Sequence, residues 1–255
     1  MKQSRSSLRH LSRNAVQPPA STSVRLRLLD SFQVVCGEDT VELPQAAQRL
    51  VAFVALHDRP VQRDHAAGML WLDMSDERAA GNLRSTLWRV QKRAHGLLRV
   101  DGHSIRLEPQ VDVDLRDAER LAHEELAPGG MGNCDVRVFT GELLPGWYDD
   151  DWVLLERERY RQLRLRALDA LCEHHLEAGR LGEALEAGLL ALAVEPLRES
   201  AHRALVRIHL ADGNAVEALR QYNLCRRLLR EQLGVEPTQQ MRDAIGALAE
   251  VETNR

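Results

Sequence analysis

A repeat with a period of 34 residues is the feature that most constrains the fold of this chain. Leucine, glycine and alanine recur in the same order in two copies: Leu171, Leu176, Gly179, Ala184 and Leu185, then Leu205, Leu210, Gly213, Ala218 and Leu219. Each copy places a glycine between two segments with apolar residues at helical spacing, which indicates two helices joined by a turn. One helix pair cannot bury its apolar side alone, so such pairs stack on their neighbours.

A period of 34 is that of the tetratricopeptide repeat. The sequence therefore predicts an all-α, tetratricopeptide-like domain over residues 110–255. Gly179 and Gly213 are expected in the turns, and Ala184 and Ala218 where helices pack closely. Pro196 and Gly234 are expected to end helices.

The first half has a different pattern. Alternating apolar and polar residues over 24–43 predict three short strands, and apolar spacing predicts helices over about 45–57, 62–72 and 76–94. Asp101-Gly102 between two short apolar runs indicates a β-hairpin. Three helices followed by a hairpin predict a winged helix-turn-helix over 23–109. The expected fold class is mainly α with a small β component.

The third predicted helix has two unlike faces. Apolar residues recur on one face, at Ala80, Leu83, Leu87, Val90 and Ala94, and polar residues recur nearly opposite, at Arg78, Asn82, Ser85, Arg89 and Lys92. Arginine and amide side chains read base edges in the major groove, although such a face is also typical of a solvated helix. The neighbouring helices and hairpin favour DNA binding. The candidate DNA-binding residues are Arg63, Arg78, Asn82, Arg84, Ser85, Arg89, Lys92, Arg93, Arg99, His103 and Arg106.

Charge is divided unevenly along the chain. Residues 1–110 hold 16 Lys and Arg against 11 Asp and Glu, a net charge of +5, and residues 111–255 hold 18 against 27, a net charge of −9. This division suggests that the first half binds DNA and that the acidic second half has another function. Chance differences in composition between two domains would give the same numbers. Residues 1–22 contain four basic residues and no acidic one, and we interpret them as a disordered basic tail.

Motifs for enzyme chemistry are absent from the sequence, including GxSxG, HExxH, GxGxxG and the P-loop. The four cysteines are too far apart to indicate a zinc site, and no apolar run approaches the roughly 20 residues of a membrane helix. We expect a cytoplasmic protein that is not an enzyme, with no cofactor and no metal. Asp149-Asp150-Asp151 precedes a predicted helix, where carboxylates favour capping over a cation site.

Several segments carry a resemblance to a known family: Gly81-Asn82-Leu83-Arg84, Leu87-Trp88-Arg89-Val90-Gln91-Lys92, Val113-Asp114-Leu115, Tyr148-Asp149-Asp150-Asp151-Trp152, Glu195-Pro196-Leu197-Arg198-Glu199-Ser200-Ala201-His202 and Leu233-Gly234-Val235-Glu236-Pro237-Thr238. Over about residues 24–250 the chain resembles the Streptomyces antibiotic regulatory protein family. Its members join an OmpR-type winged helix to a bacterial transcriptional activator domain.

The resemblance implies a nucleoid-associated transcription activator. Such a protein binds promoter DNA at direct repeats as two side-by-side protomers, recruits RNA polymerase and regulates antibiotic or other secondary-metabolite genes. An alternative from another class is a tetratricopeptide adaptor whose winged helix makes protein contacts only. Direct binding to a promoter fragment distinguishes the two.

Overall fold

The computed structural model describes residues 23–130 and 132–253, with side chains through residue 246. The predicted basic tail, residues 1–22, lies outside the described residues. Within this part of the chain, no helix combines the length and apolarity needed to cross a bilayer.

A four-stranded sheet begins the described chain. Strands β1 (Val24–Arg27), β2 (Gln33–Cys36) and β3 (Asp39–Val41) form the predicted antiparallel meander. A later strand, which we number β7 (Val111–Val113), pairs in parallel with β1 and completes the order β3-β2-β1-β7. The sequence did not indicate β7, since its pairing partner lies more than 80 residues away.

The predicted winged helix is confirmed. It consists of α1 (Gln45–Ala55), β4 (Val61–Gln62), α2 (Arg63–Leu70), α3 (Asp76–Arg93), β5 (Leu98–Asp101) and β6 (Ser104–Leu107). β5 and β6 form the predicted hairpin, and β4 adds a third strand at the side of β6. Gln62, which the sequence assigned to the second helix, belongs to β4.

One face of α3 is buried against α1 and α2. Leu83, Leu87 and Val90 are buried as predicted. The first turn of α3 directs Ala79 into the core and leaves Ala80 half-buried, one position away from the predicted stripe.

After β7 the second half is all-α apart from connecting segments, as predicted, and β7 itself is a strand that the all-α prediction for residues 110–255 did not include. Its helices are α4 (Asp114–Leu126), a short 3-10 helix (Val136–Phe139), α5 (Asp151–Glu177), α6 (Leu181–Val194), α7 (Glu199–Ala211), α8 (Ala215–Leu233) and α9 (Gln239–Thr253). The two predicted helix pairs are α5 with α6 and α7 with α8.

The turns inside the helix pairs have the same backbone geometry. Gly179 has φ of +71° and Gly213 has φ of +74°, in the left-handed region where a side chain is strained. Ala184 and Ala218 follow these turns and are fully buried, because the paired helices approach closely there.

Ion pairs also follow the repeat. Arg161 Nη1 lies 2.6 Å from Glu195 Oε2, and Arg207 Nη1 lies 2.5 Å from Glu173 Oε1. Both pairs join residues separated by one 34-residue period. They connect α5 to the segment after α6 and to α7.

A shared core joins the two halves of the chain. Leu143, Trp152 and Tyr160 from the second half lie in the same apolar cluster as the residues of β1 and α1. The Asp114 carboxylate accepts hydrogen bonds from the backbone N–H groups of Leu28 (2.9 Å) and Leu29 (3.2 Å). The boundary at residue 110 stays a prediction, and packing continues across it.

Asp150 also joins the halves, and the capping interpretation was wrong for its side chain. It precedes α5 but makes no side-chain cap. Its carboxylate instead accepts from Arg49 Nη2 at 2.6 Å and from Trp152 Nε1 at 3.0 Å, and the residue is 8 % exposed. A charged guanidinium is a stronger partner for a nearly buried carboxylate than a backbone N–H.

Candidate nucleic-acid interface

The exposed face of α3 presents cationic side chains along its whole length. Arg78, Arg84, Arg89 and Lys92 are exposed, and at about 1.5 Å of rise per residue this face extends roughly 21 Å. Among the described residues, Arg78, Arg84 and Arg89 have no side-chain hydrogen bond and no ion pair. Their guanidinium groups are therefore free to meet an external acceptor.

Two polar residues of α3 already have intramolecular contacts. Ser85 Oγ donates to the Gly81 carbonyl at 3.1 Å, and Asn82 Nδ2 lies 3.0 Å from Met74 Sδ. A thioether is a weak acceptor, so the Asn82 amide can exchange it for a base edge at little cost.

Arg93 differs from the other candidates on α3. Its Nη1 donates to the backbone carbonyl of Glu42 at 3.0 Å. This bond ties the last turn of α3 to the segment that precedes α1. Arg93 thus fixes the end of the helix, whereas Arg89 one turn earlier remains free.

The arginines of the β5–β6 hairpin share one carboxylate. Arg99 Nε and Arg106 Nη2 lie 3.0 and 3.2 Å from Asp101 Oδ2. The hydrogen bond between Arg99 and Asp101 raises the pKa of the Arg99 guanidinium and lowers the pKa of the Asp101 carboxyl group. Exposed ion pairs of this kind are weak, so either arginine can exchange Asp101 for a phosphate.

The tip of the hairpin contacts the beginning of α2. The backbone N–H of Arg63 donates to the carbonyl of His103 at 2.8 Å. The structure thus brings Arg63, His103, Arg99 and Arg106 to one region around the hairpin. The remaining candidates lie on α3.

Trp88 was not predicted as a candidate from the sequence. Its side chain is 60 % exposed on α3, and Lys92 Nζ lies 4.9 Å from the centre of its ring. An indole here offers a flat surface for a thymine methyl group or an unstacked base. The signal was present in the sequence, because Trp88 falls one turn after Arg84 and outside the apolar stripe.

Comparison with known proteins identifies a domain family in the second half of the chain. Residues 114–248, more than half of the chain, match the bacterial transcriptional activator domain. The chain belongs to this family. The matched segment covers α4 through most of α9 and begins directly after β7.

Curated relatives agree with this assignment. Regulatory protein AfsR of Streptomyces griseus is 27 % identical over 237 residues, covering 86 % of this chain and 24 % of the relative. Regulatory protein AfsR of Streptomyces coelicolor is 27 % identical over 206 residues, covering 76 % and 21 %. The chain thus spans about a quarter of the length of these relatives. The predicted kinship with the Streptomyces antibiotic regulatory proteins is confirmed, and these relatives are regulatory proteins.

A solved structure shares the fold. The structure of Mycobacterium tuberculosis EmbR in complex with a low-affinity phosphopeptide aligns with a TM-score of 0.70 at 18 % identity. The alignment covers 89 % of this chain and 65 % of that one. At this identity the likeness concerns the fold alone, and it confirms the predicted fold class.

Proposed function

We propose that this chain is a transcription activator that binds promoter DNA through α3 and the β5–β6 hairpin and holds RNA polymerase through its helical repeats. The observation that carries the proposal is the exposed face of α3, where Arg78, Arg84 and Arg89 have no partner among the described residues. Membership in the activator domain family supports the same role.

In the proposed complex α3 lies in the major groove. Arg78 and Arg89 reach base edges, where arginine pairs with guanine through two hydrogen bonds. Arg63, Arg99 and Arg106 contact phosphates beside the groove, since phosphate contacts set the position of a protein on DNA without reading its sequence. The proposal places the protein at the nucleoid, in the cytoplasm.

Two protomers are proposed to bind side by side at a direct repeat. Protomers that present the same helix to the same face of the duplex need half-sites about 10–10.5 base pairs apart, which is one helical turn. Binding of the first protomer then raises the local concentration of the second.

The helical repeats are proposed to bind RNA polymerase. The helix α7 packs against both α5 and α9, so these three helices form one row. Stacked helix pairs of this kind produce extended concave surfaces that hold partners. Residues 111–255 carry a net charge of −9, which suits a basic surface on the partner.

Selection from a library of random DNA duplexes tests the proposal. We expect the full chain to enrich a direct repeat, and an Arg78→Ala/Arg89→Ala variant to enrich none, because the base contacts are lost. Arg166→Ala, which removes an exposed arginine of α5, should behave like the unmodified chain. Failure of the unmodified chain to enrich any sequence would favour the adaptor alternative.

A further inference from the structure

A cleft of about 350 Å³ opens beside α5, away from the proposed DNA-binding face. It is bounded by α5, the last turn of α6 and the connector over residues 140–143. Nothing in the proposed function uses it. Its volume lies in the range of small-molecule sites, which begins at about 300 Å³.

Arginines line one side of the cleft. Arg157, Arg161 and Arg164 line it from one face of α5, and Glu142 is the single carboxylate among its described lining residues. Arg157 lies 3.6 Å from Glu142, and Arg161 is paired with glutamates. Arg157 and Arg161 are thus already paired with glutamates, and Arg164 is the arginine of this wall that has no carboxylate partner among the described residues.

Arg164 is buried without a carboxylate partner within hydrogen-bonding distance. It is 7 % exposed, and its Nη1 donates to the backbone carbonyls of Thr140 and Gly141. Its Nε has no hydrogen-bond partner among the described residues. Burial lowers the pKa of Arg164, against the opposing attraction of nearby groups that include Glu142 and Asp30. An oxyanion would compensate this charge.

Tyr160 supplies a second unsatisfied donor on the same wall. The residue is 2 % exposed, and its hydroxyl also lacks a partner in the described part of the chain. Burial raises the pKa of Tyr160 to about 12, so at neutral pH its hydroxyl keeps the proton that it can donate. The bonds from Arg164 to Thr140 and Gly141 are explained if Arg164 only holds the connector in place. That structural role does not explain why the Tyr160 hydroxyl has no hydrogen-bond partner among the described residues.

The opposite side of the cleft is apolar. Leu190, Ala193 and Val194 line it from α6, and Leu143 lines it from the connector. A bare inorganic anion would leave this side without contacts. The cleft therefore matches a ligand with an oxyanion at one end and an apolar body at the other.

We propose that this cleft binds a small organic carboxylate. Its oxygens accept hydrogen bonds from the Tyr160 hydroxyl and the Arg164 guanidinium, and its hydrocarbon part packs on Leu190 and Val194. The site is independent of the proposed DNA contacts, and its test requires no DNA.

Titration calorimetry on the full chain tests the site with octanoate as the probe. We expect saturable binding of one octanoate per chain, and binding at least about tenfold weaker for octanol and for inorganic phosphate, since each lacks one half of the ligand. No saturable heat with octanoate would overturn the proposal. If octanol bound as tightly as octanoate, the site would not recognise an oxyanion. If phosphate bound as tightly as octanoate, the site would not recognise an apolar body. Either result would contradict the proposal.

Two variants locate the binding. Tyr160→Phe keeps the buried ring and should weaken octanoate binding about tenfold, the usual size of one hydrogen bond to a charged oxygen. Ala193→Trp, at an exposed position on the cleft wall, should block binding. The matched controls are Tyr222→Phe in another core and Leu189→Trp on the same helix, and both should bind like the unmodified chain. Unchanged affinity in both Tyr160→Phe and Ala193→Trp would place the probe elsewhere and refute the proposal.

Discussion

The guanidinium group of Arg89 makes one of the proposed contacts with a base. Arg89→Ala should weaken binding to the selected site by about 1–3 kcal/mol, the usual value of a bidentate contact with a base. Arg89 is exposed and makes no side-chain hydrogen bond or ion pair among the described residues, so its removal should change the thermal midpoint of unfolding little. A gel-shift titration measures the affinity, with Arg166→Ala as control. Equal affinities for Arg89→Ala and the unmodified chain would contradict the assignment.

Asp150 gives a prediction about stability. Asp150→Ala leaves Arg49 and the Trp152 indole without their acceptor and should lower the free energy of unfolding by about 2–3 kcal/mol. The effect falls below that of a fully buried pair, because the Arg49 side chain is 29 % exposed. Urea denaturation measures it, with the exposed neighbour Asp149→Ala as control. Equal losses for Asp149→Ala and Asp150→Ala would show that the ion pair is not responsible.

These residues differ in how far the sequence could predict them. The exposure of Arg89 follows from its position between Leu87 and Val90 on an amphipathic helix, which is local information. The partner of Asp150 could not be predicted in this way, because Arg49 lies 101 positions earlier and only folding brings the two residues together. The helical pattern also places Trp88 outside the apolar stripe, but tryptophan is usually a core residue, so its exposure was not predicted.

The buried residue His202 in α7 should make the stability of the folded chain depend on pH. This residue is 1 % exposed; its Nε2 lies 2.9 Å from the Pro196 carbonyl and its Nδ1 lies 2.6 Å from Gln221 Nε2, an arrangement that fits a neutral ring. Burial lowers its pKa below the ordinary 6.5, although Pro196 and Glu199 act in the opposite direction. The unfolded chain therefore takes up the proton first as pH falls, and the stabilisation present at neutral pH is lost below about 6.5.

A histidine substitution tests this element. His202→Gln should be less stable than the unmodified chain at about pH 7.5, and the difference should narrow at about pH 5.5, because His202 then costs the unmodified chain stability. Burial also lowers the pKa of His175, so the comparison uses the difference between variants and not the total change. Exposed His95→Gln is the control. A difference between His202→Gln and the unmodified chain that is the same at both pH values would contradict this account.

Elements with local signals were predictable, and those made by distant pairing were not. The α5–α6 and α7–α8 turns were predicted from Gly179 and Gly213, whose left-handed backbone favours glycine. β4 has only two residues and exists because β6 lies beside it, and β7 exists because β1 offers a free edge. Neither strand has a hydrophobic pattern long enough to indicate it.

At the scale of the whole molecule, the shared core predicts cooperative unfolding. Leu143, Trp152 and Tyr160 pack with β1 and α1, and Asp114 holds the end of β1. Differential scanning calorimetry should therefore show the winged helix and the activator domain unfolding in one transition. A fragment ending at residue 110 lacks β7 and these contacts, so it should unfold at a lower temperature than the full chain. Two separate transitions in the full chain would contradict this prediction.

We propose that activation requires both the binding of DNA by α3 and the binding of RNA polymerase by the helical repeats. Transcription from a promoter carrying the selected direct repeat, with purified RNA polymerase and the full chain, measures both requirements together. We expect the unmodified chain to increase the transcript and to form a complex with polymerase on the promoter. We expect the Arg78→Ala/Arg89→Ala variant to do neither. Equal activation by that variant, or no activation by an unmodified chain that occupies the repeat, would contradict the claim.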